Sequence, residues 1–157
     1  MAYRWFTVPT SARLGQRPEA DDEAWIVNWR AWSIGFIADV IIEGEKQYCV
    51  RVNAFPLLYE FLNASVYMCA NRSFDVEIGE GLWLRGAVSE GGIEIAISFE
   101  AGGRNDVLLQ RNISASDTIL FLALKTAEVA SSLEKIGVDL EHYLSKFPVG
   151  VYRRGIA

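Results

Sequence analysis

Four stretches of alternating apolar and polar residues follow one another between residues 74 and 113, and only short glycine-containing loops separate them. Alternation with a period of two is typical of strands that bury one face. The loops at 79–81 and 89–92 suit hairpins, because glycine readily adopts the positive φ that tight reversals need. Consecutive hairpins without intervening helices predict an antiparallel sheet.

One hairpin and one helix precede this region. An alternating run ends at Ile42, a turn follows at 43–46, and a second alternating run covers 48–52. A helix of about 54–70 begins after Asn53, which is well placed as its N-cap.

A second and longer helix follows the last strand. Ser114 and Asp117 have the spacing of a capping box, and Gly137 is a natural stop for the helix. Apolar residues at helical spacing predict its buried stripe: Ile119, Leu122, Ala123, Ala127, Ala130, Leu133 and Ile136.

These elements occur in the order β-β-α-β-β-β-β-α. They predict an α+β fold, a mainly antiparallel sheet of about six strands with two main helices packed on one face. With 157 residues and 51% hydrophobic content, the chain has the size and composition of one domain with its own core. The polar composition of the first part predicts an N-terminal arm or loop over 1–24 and a single α+β domain over 25–157.

The formal charge of −5 is concentrated in the predicted sheet, because residues 74–106 hold seven acidic and two basic side chains. The first hairpin loop sets the pairing of the strands that it joins. On the outer side of the sheet, Asp75 then lies opposite Arg85, and Glu77 lies opposite Trp83.

The next hairpin places Ala96 beside Arg85 and Ser98 beside Trp83. Tryptophan and arginine are enriched at the energetic centres of protein interfaces, and an acidic rim attracts a basic partner. We therefore predict a partner-binding face composed of Trp83, Arg85, Asp75, Glu77, Glu94 and Glu100.

Two other interpretations of these residues stay open. In the first, Trp5 or Phe6 of the N-terminal arm covers Trp83, and Arg85 is merely paired with Asp75. In the second, the carboxylates of Asp75, Glu77 and Glu94 form a functional group of their own. The group either holds a divalent cation or supplies an acid and a base for catalysis. A solvated face is the simpler explanation for these carboxylates, because strand exteriors are routinely polar.

Motifs for catalysis or cofactor binding are missing. The sequence has no GxGxxG, Walker A, GxSxG or HExxH pattern, and its one histidine, His142, has no recognisable catalytic partners nearby. Cys49 and Cys69 lack the spacing of a metal site and are predicted to be reduced core residues. No cofactor and no metal site are expected.

A tryptophan cluster, Trp25, Trp29 and Trp32, has a spacing that aligns the three residues on one helical face. Core packing is the favoured use, because large aromatic residues are mostly buried. An exposed aromatic groove for a sugar or peptide is the alternative, and the sequence does not decide between them.

The acidic character of the chain limits the classes of partner that it is expected to bind. A pI near 4.9 repels phosphate backbones, which argues against nucleic-acid binding and favours a basic protein partner. No apolar run is long enough to cross a bilayer, so no membrane partner is expected and the predicted compartment is the cytoplasm. The sequence leaves open whether the protein is a monomer or a homodimer.

Three functions fit these features. The favoured one is a non-enzymatic inhibitor or immunity-type protein that neutralises a basic partner, such as a toxin. The first alternative is a chaperone-like dimeric escort for a secreted protein, which requires an exposed apolar groove. The second alternative is a small hydrolase that uses the outer carboxylates.

Overall fold

The computed structural model describes residues 4–8, 13–14, 36–141 and 144. The tryptophan cluster (Trp25, Trp29 and Trp32) and His142 lie outside these residues. The predictions for those four side chains therefore stay predictions.

The described residues form eight strand segments and two main helices. The first half contains β1 (Phe6–Thr7), β2 (Arg13–Leu14), β3 (Phe36–Glu43), β4 (Gln47–Asn53) and helix α1 (Ala54–Cys69). The second half contains β5 (Phe74–Gly79), β6 (Leu82–Ser89), β7 (Gly92–Ala101), β8 (Arg104–Ile113) and helix α2 (Ala115–Lys135). The predicted α+β fold with antiparallel pairing is confirmed.

The strands form two sheets instead of one. In the first sheet β4 pairs along one edge of β3, and both short segments, β1 and β2, pair with β3. A strand has two edges, so β1 and β2 share the second edge and occupy one position. The other sheet has the order β5-β6-β7-β8. The sheets thus have three and four strand positions, which makes seven where about six were predicted.

The core lies between the two helices and the inner faces of the sheets. Most of the inward positions predicted for β5, β6 and β7 are buried, among them Val76, Leu84 and Ile95, but Val88 is half-buried and Phe99 is exposed. Helix α1 packs against α2 and β5. Burial of these apolar residues is the main driving force for the arrangement.

Residues near the start of the chain belong to the same core. Phe6 is fully buried, and its ring makes edge contacts with Phe61 of α1 and Phe121 of α2, at centroid distances of 5.6 and 5.9 Å. Trp5 stacks on Phe121 at 4.5 Å. Such aromatic pairs each add about 0.5–1.5 kcal/mol beyond area burial.

The ends of the helices agree largely with the sequence. Asn53 is the N-cap of α1, although its side chain makes no capping hydrogen bond. At α2 the Ser114 hydroxyl accepts a hydrogen bond from the backbone N–H of Asp117, at 3.0 Å. Gly137 has φ +88°, and the backbone N–H of Val138 donates to the carbonyl of Leu133, which is the Schellman termination expected of a glycine at this position.

The predicted apolar stripe of α2 is only partly correct. Leu122 and Leu133 are buried as predicted, but Ile119, Ala123, Ala127 and Ile136 are exposed. The buried face is instead turned toward Phe121 and Val129. It includes Lys125, which pairs with Glu128 at 3.2 Å.

The prediction that both cysteines are core residues is wrong. Cys49 and Cys69 are free and exposed. Cys49 lies on β4, where the buried position is Val52, and Cys69 is the last residue of α1.

Candidate partner-binding face

The predicted pairing of the outer strands is confirmed. Asp75 pairs with Arg85 and Glu77 pairs with Trp83 between β5 and β6. Between β6 and β7, Ser98 pairs with Trp83, and Ala96 pairs with Arg85. We call the surface formed by Asp75, Glu77, Trp83, Arg85, Glu94 and Glu100 the outer face.

The guanidinium of Arg85 is the centre of the outer face. Its Nε lies 2.9 Å from Oδ1 of Asp75, and its Nη2 lies 2.8 Å from Oε1 of Glu100. Nη1 donates to the buried hydroxyl of Ser98 at 2.9 Å. Two carboxylates and one hydroxyl thus bind three different nitrogens of the guanidinium, which fixes its plane.

Trp83 lies against this network. The guanidinium carbon of Arg85 is 5.3 Å from the centre of the Trp83 ring, within the range of a cation–π contact. The ring is half-buried. Arg85 therefore holds the indole in position on the sheet surface, and the indole keeps part of its area accessible.

The electrostatic environment keeps Arg85 charged. Partial burial by itself lowers the pKa of its guanidinium, but hydrogen bonds and charge from Glu100 and Asp75 outweigh that effect and raise the pKa above its ordinary value. The single positive charge of Arg85 offsets half of the combined negative charge of its two carboxylate partners.

The structure does not bring Asp75, Glu77 and Glu94 together. Asp75 pairs with Arg85, the carboxylate of Glu77 accepts from the backbone N–H of Gly81 at 2.9 Å, and Glu94 accepts from the side-chain amide of Gln110. Among the described residues, no three His, Cys, Asp or Glu side chains are arranged to hold a metal ion. The divalent-cation interpretation therefore lacks a geometric basis in this part of the chain, and the acid–base interpretation stays a prediction.

Trp5 and Phe6 do not cover Trp83. Trp5 stacks on Phe121 and Phe6 is inside the aromatic core. The alternative in which Arg85 only pairs with Asp75 also understates its contacts, because Glu100 and Ser98 bind the same guanidinium.

Sequence reasoning recognised Ser98 only as a small neighbour of Trp83. Its value as an anchor for Arg85 comes from its burial, since only 2% of its surface is exposed. The feature of the sequence that could have indicated this contact is a serine at an outward position of the strand next to the one that carries Arg85.

The part of the chain that the structure describes contains no helix both long and apolar enough to cross a membrane. The chain matches no protein-family model, and neither curated proteins nor solved structures give a significant match.

Proposed function

We propose that the protein is a non-enzymatic binding module whose outer face contacts a basic protein. In this proposal it acts as an inhibitor of the immunity type, and it neutralises a partner such as a toxin in the cytoplasm. The observation that supports the proposal is the fixed pair of Trp83 and Arg85 on a strand surface that carries four carboxylates and one cation.

The contacts of Arg85 favour binding in a specific way. Binding costs less free energy when the contacting side chains are already ordered, and Arg85 is held by Asp75, Glu100 and Ser98 before any partner arrives. Trp83 then provides an ordered aromatic anchor. Two guanidinium N–H groups stay available for carbonyls of the partner, because Arg has five donors and three are used within the face.

The four carboxylates of the outer face have two different electrostatic roles. Asp75 and Glu100 are both paired with Arg85, so half of their combined charge is compensated. Glu77 accepts a hydrogen bond from the backbone N–H of Gly81, and Glu94 accepts one from the side-chain amide of Gln110. The carboxylates that pair with Arg85 are those of Asp75 and Glu100. Glu77 and Glu94 are therefore assigned the steering of a basic partner.

Charge reversal at these two positions tests the proposal. The immobilised wild type is compared with a Glu77→Lys, Glu94→Lys variant for capture of proteins from the lysate of the native host. A Glu43→Lys, Glu134→Lys variant is the matched control, because it has the same net charge but changes exposed residues of β3 and α2. Circular dichroism verifies that all three proteins are folded.

A basic protein held by the wild type and the control, but lost by the outer-face variant, supports the proposal. The recovered partner is then purified, and its association rate is measured at rising salt. The rate should fall as salt screens the carboxylates, and Trp83→Ala should increase the dissociation rate. Equal capture by both charge-reversed variants contradicts the assignment of the outer face.

The alternative of a dimeric escort has one observation in its favour. Helix α2 exposes Ile119, Leu120 and Leu124 on neighbouring turns, and an apolar patch of this kind is typical of interaction surfaces. Sedimentation equilibrium of the wild type and a Leu120→Glu, Leu124→Glu variant tests this. A wild-type dimer that the variant loses favours the escort, and a wild-type monomer excludes a homodimer through α2.

A further inference from the structure

A cleft separates the turn between β3 and β4 from strand β8. One wall is formed by Gly44, Glu45, Lys46 and Tyr48, the other by residues 107–111, and the volume is about 630 Å³. The walls meet at Gly44, where an added Cβ would lie 2.2 Å from the carbonyl oxygen of Leu108. The close approach requires a residue without a side chain, so the turn and β8 together define the shape of the cleft.

Strand β8 presents a free edge to this cleft. Among the described residues it pairs only with β7, so the peptide groups along its other edge have no strand partner. Leu108 is the extra residue of a bulge, because Ile97 pairs with Leu109 while Ser98 pairs with Val107. A bulge redirects the side chains around it. Val107, at 56% exposure, is the most exposed large apolar residue of the described chain.

The cleft also holds two cations without carboxylate partners. Lys46 and Arg111 are both exposed, and neither is in an ion pair with the described residues. By contrast, Arg51 pairs with Asp39, and Lys125 pairs with Glu128. Glu45 also lines the cleft, so the cleft has one more cation than carboxylate. In a chain of net charge −5, this local excess of positive charge favours an anion.

We propose that this cleft binds an extended acidic peptide segment. A carboxylate of the peptide lies between Lys46 and Arg111, and an apolar side chain beside it packs on Val107 and Tyr48. Peptide groups of the segment bond to the free edge of β8, as in other complexes that add a strand to a sheet. This site is distinct from the outer face, which is assigned to a basic partner, although Gln110 of the cleft bonds to Glu94 of the outer face.

Fluorescence anisotropy with synthetic peptides tests the proposal. The probe is a peptide of alternating Val and Glu, labelled with fluorescein at its N-terminus and amidated at its C-terminus. A second peptide has Gln in place of Glu, and a third has Gln with a free C-terminus. The third peptide distinguishes recognition of a terminal carboxylate from recognition of acidic side chains.

We expect saturable binding of the Glu peptide to the wild type. The amidated Gln peptide should bind at least tenfold more weakly than the Glu peptide. The double variant Lys46→Glu, Arg111→Glu should bind the Glu peptide at least tenfold more weakly than the wild type does. The matched control is Arg104→Glu, Lys135→Glu, which has the same net charge and changes exposed cations outside the cleft. It should change the affinity less than twofold.

Variants of the outer face separate this site from the proposed function. Glu77→Lys should bind the Glu peptide at least as well as the wild type, and Trp83→Ala should bind it equally well. Glu94 is left unchanged here because it bonds to Gln110 of the cleft. The proposal is overturned if no peptide binds saturably, if the cleft variant binds as the wild type does, or if both charge-reversed cation variants weaken binding equally.

Discussion

Replacing Arg85 with methionine tests whether the outer face is pre-organised. The methionine stem preserves most of the apolar contact with Trp83, so the change removes mainly the guanidinium. Asp75 and Glu100 are then left close together without a cation, and the buried hydroxyl of Ser98 loses its donor. The variant should fold and be less stable than the wild type.

The size of the loss follows from the exposure of the groups. The side chains of Arg85, Asp75 and Glu100 are 32, 54 and 34% exposed, so each ion pair is screened and is assigned about 0.5 kcal/mol. The bond to buried Ser98 adds about 0.5–1 kcal/mol after partial compensation by water. The cation–π contact adds about 0.5 kcal/mol. We expect a total loss of about 2 kcal/mol, which lowers Tm by about 4–8 °C in a chain of this size.

Urea denaturation followed by circular dichroism measures the loss. Arg51→Met is the control, because Arg51 is 67% exposed and its ion pair with Asp39 is longer, at 3.5 Å. It should cost less than about 0.5 kcal/mol. A double-mutant cycle of Arg85→Met with Glu100→Gln should give a coupling of about 0.5–1 kcal/mol. A loss at Arg85 no larger than at Arg51, or no coupling to Glu100, would refute the pre-organised network.

Three further variants test the fold, each by urea denaturation. Phe121→Ala should lower the free energy of unfolding by about 3–5 kcal/mol, because its fully buried ring contacts three aromatic residues. The matched control, Leu124→Ala on the exposed side of α2, should lower it by less than about 1 kcal/mol. Equal losses would show that the buried face of α2 is misassigned. Ser114→Ala should cost about 1 kcal/mol through loss of the N-cap, and an unchanged midpoint would contradict the cap. Gly137→Ala should cost about 1 kcal/mol because its φ is +88°, whereas Gly91→Ala, in open space, is the control; similar effects at the two glycines would contradict a conformational origin.

The strand register was predictable because local chemistry fixes it. Glycines determine where each hairpin turns, and once a turn is placed the pairs along the two strands follow until a bulge shifts them, as at Leu108 in β8. The facing positions of Trp83 and Glu77, and of Arg85 and Asp75, needed no knowledge of tertiary packing.

The orientation of α2 was not predictable in the same way. An offset of one residue rotates a helix face by about 100°, and α2 carries apolar residues on both candidate faces. Contacts with Trp5 and Phe6 select the face that contains Phe121. Lys125 is tolerated in the buried stripe because Glu128 pairs with it, which a hydrophobic pattern does not reveal.

The candidate site was also predictable from the sequence only in part. The sequence placed Trp83, Arg85 and their neighbours on one face, but it did not predict that Asp75, Glu100 and Ser98 bind a single guanidinium, because that depends on side-chain conformation across three strands. The cleft beside β8 was also missed. It forms where the turn at Gly44 meets a distant strand, and no local pattern records that contact.

The contact between Phe6 and Phe121 has a consequence for how the protein is made. Most of the chain separates the two rings, so a ribosome that adds roughly 5–20 residues per second has synthesised β1 several seconds before α2 exists. During that interval Phe6 lacks one wall of its final environment. The aromatic core can therefore close only once α2 has left the ribosome, and the nascent chain carries an unfinished apolar surface until that moment.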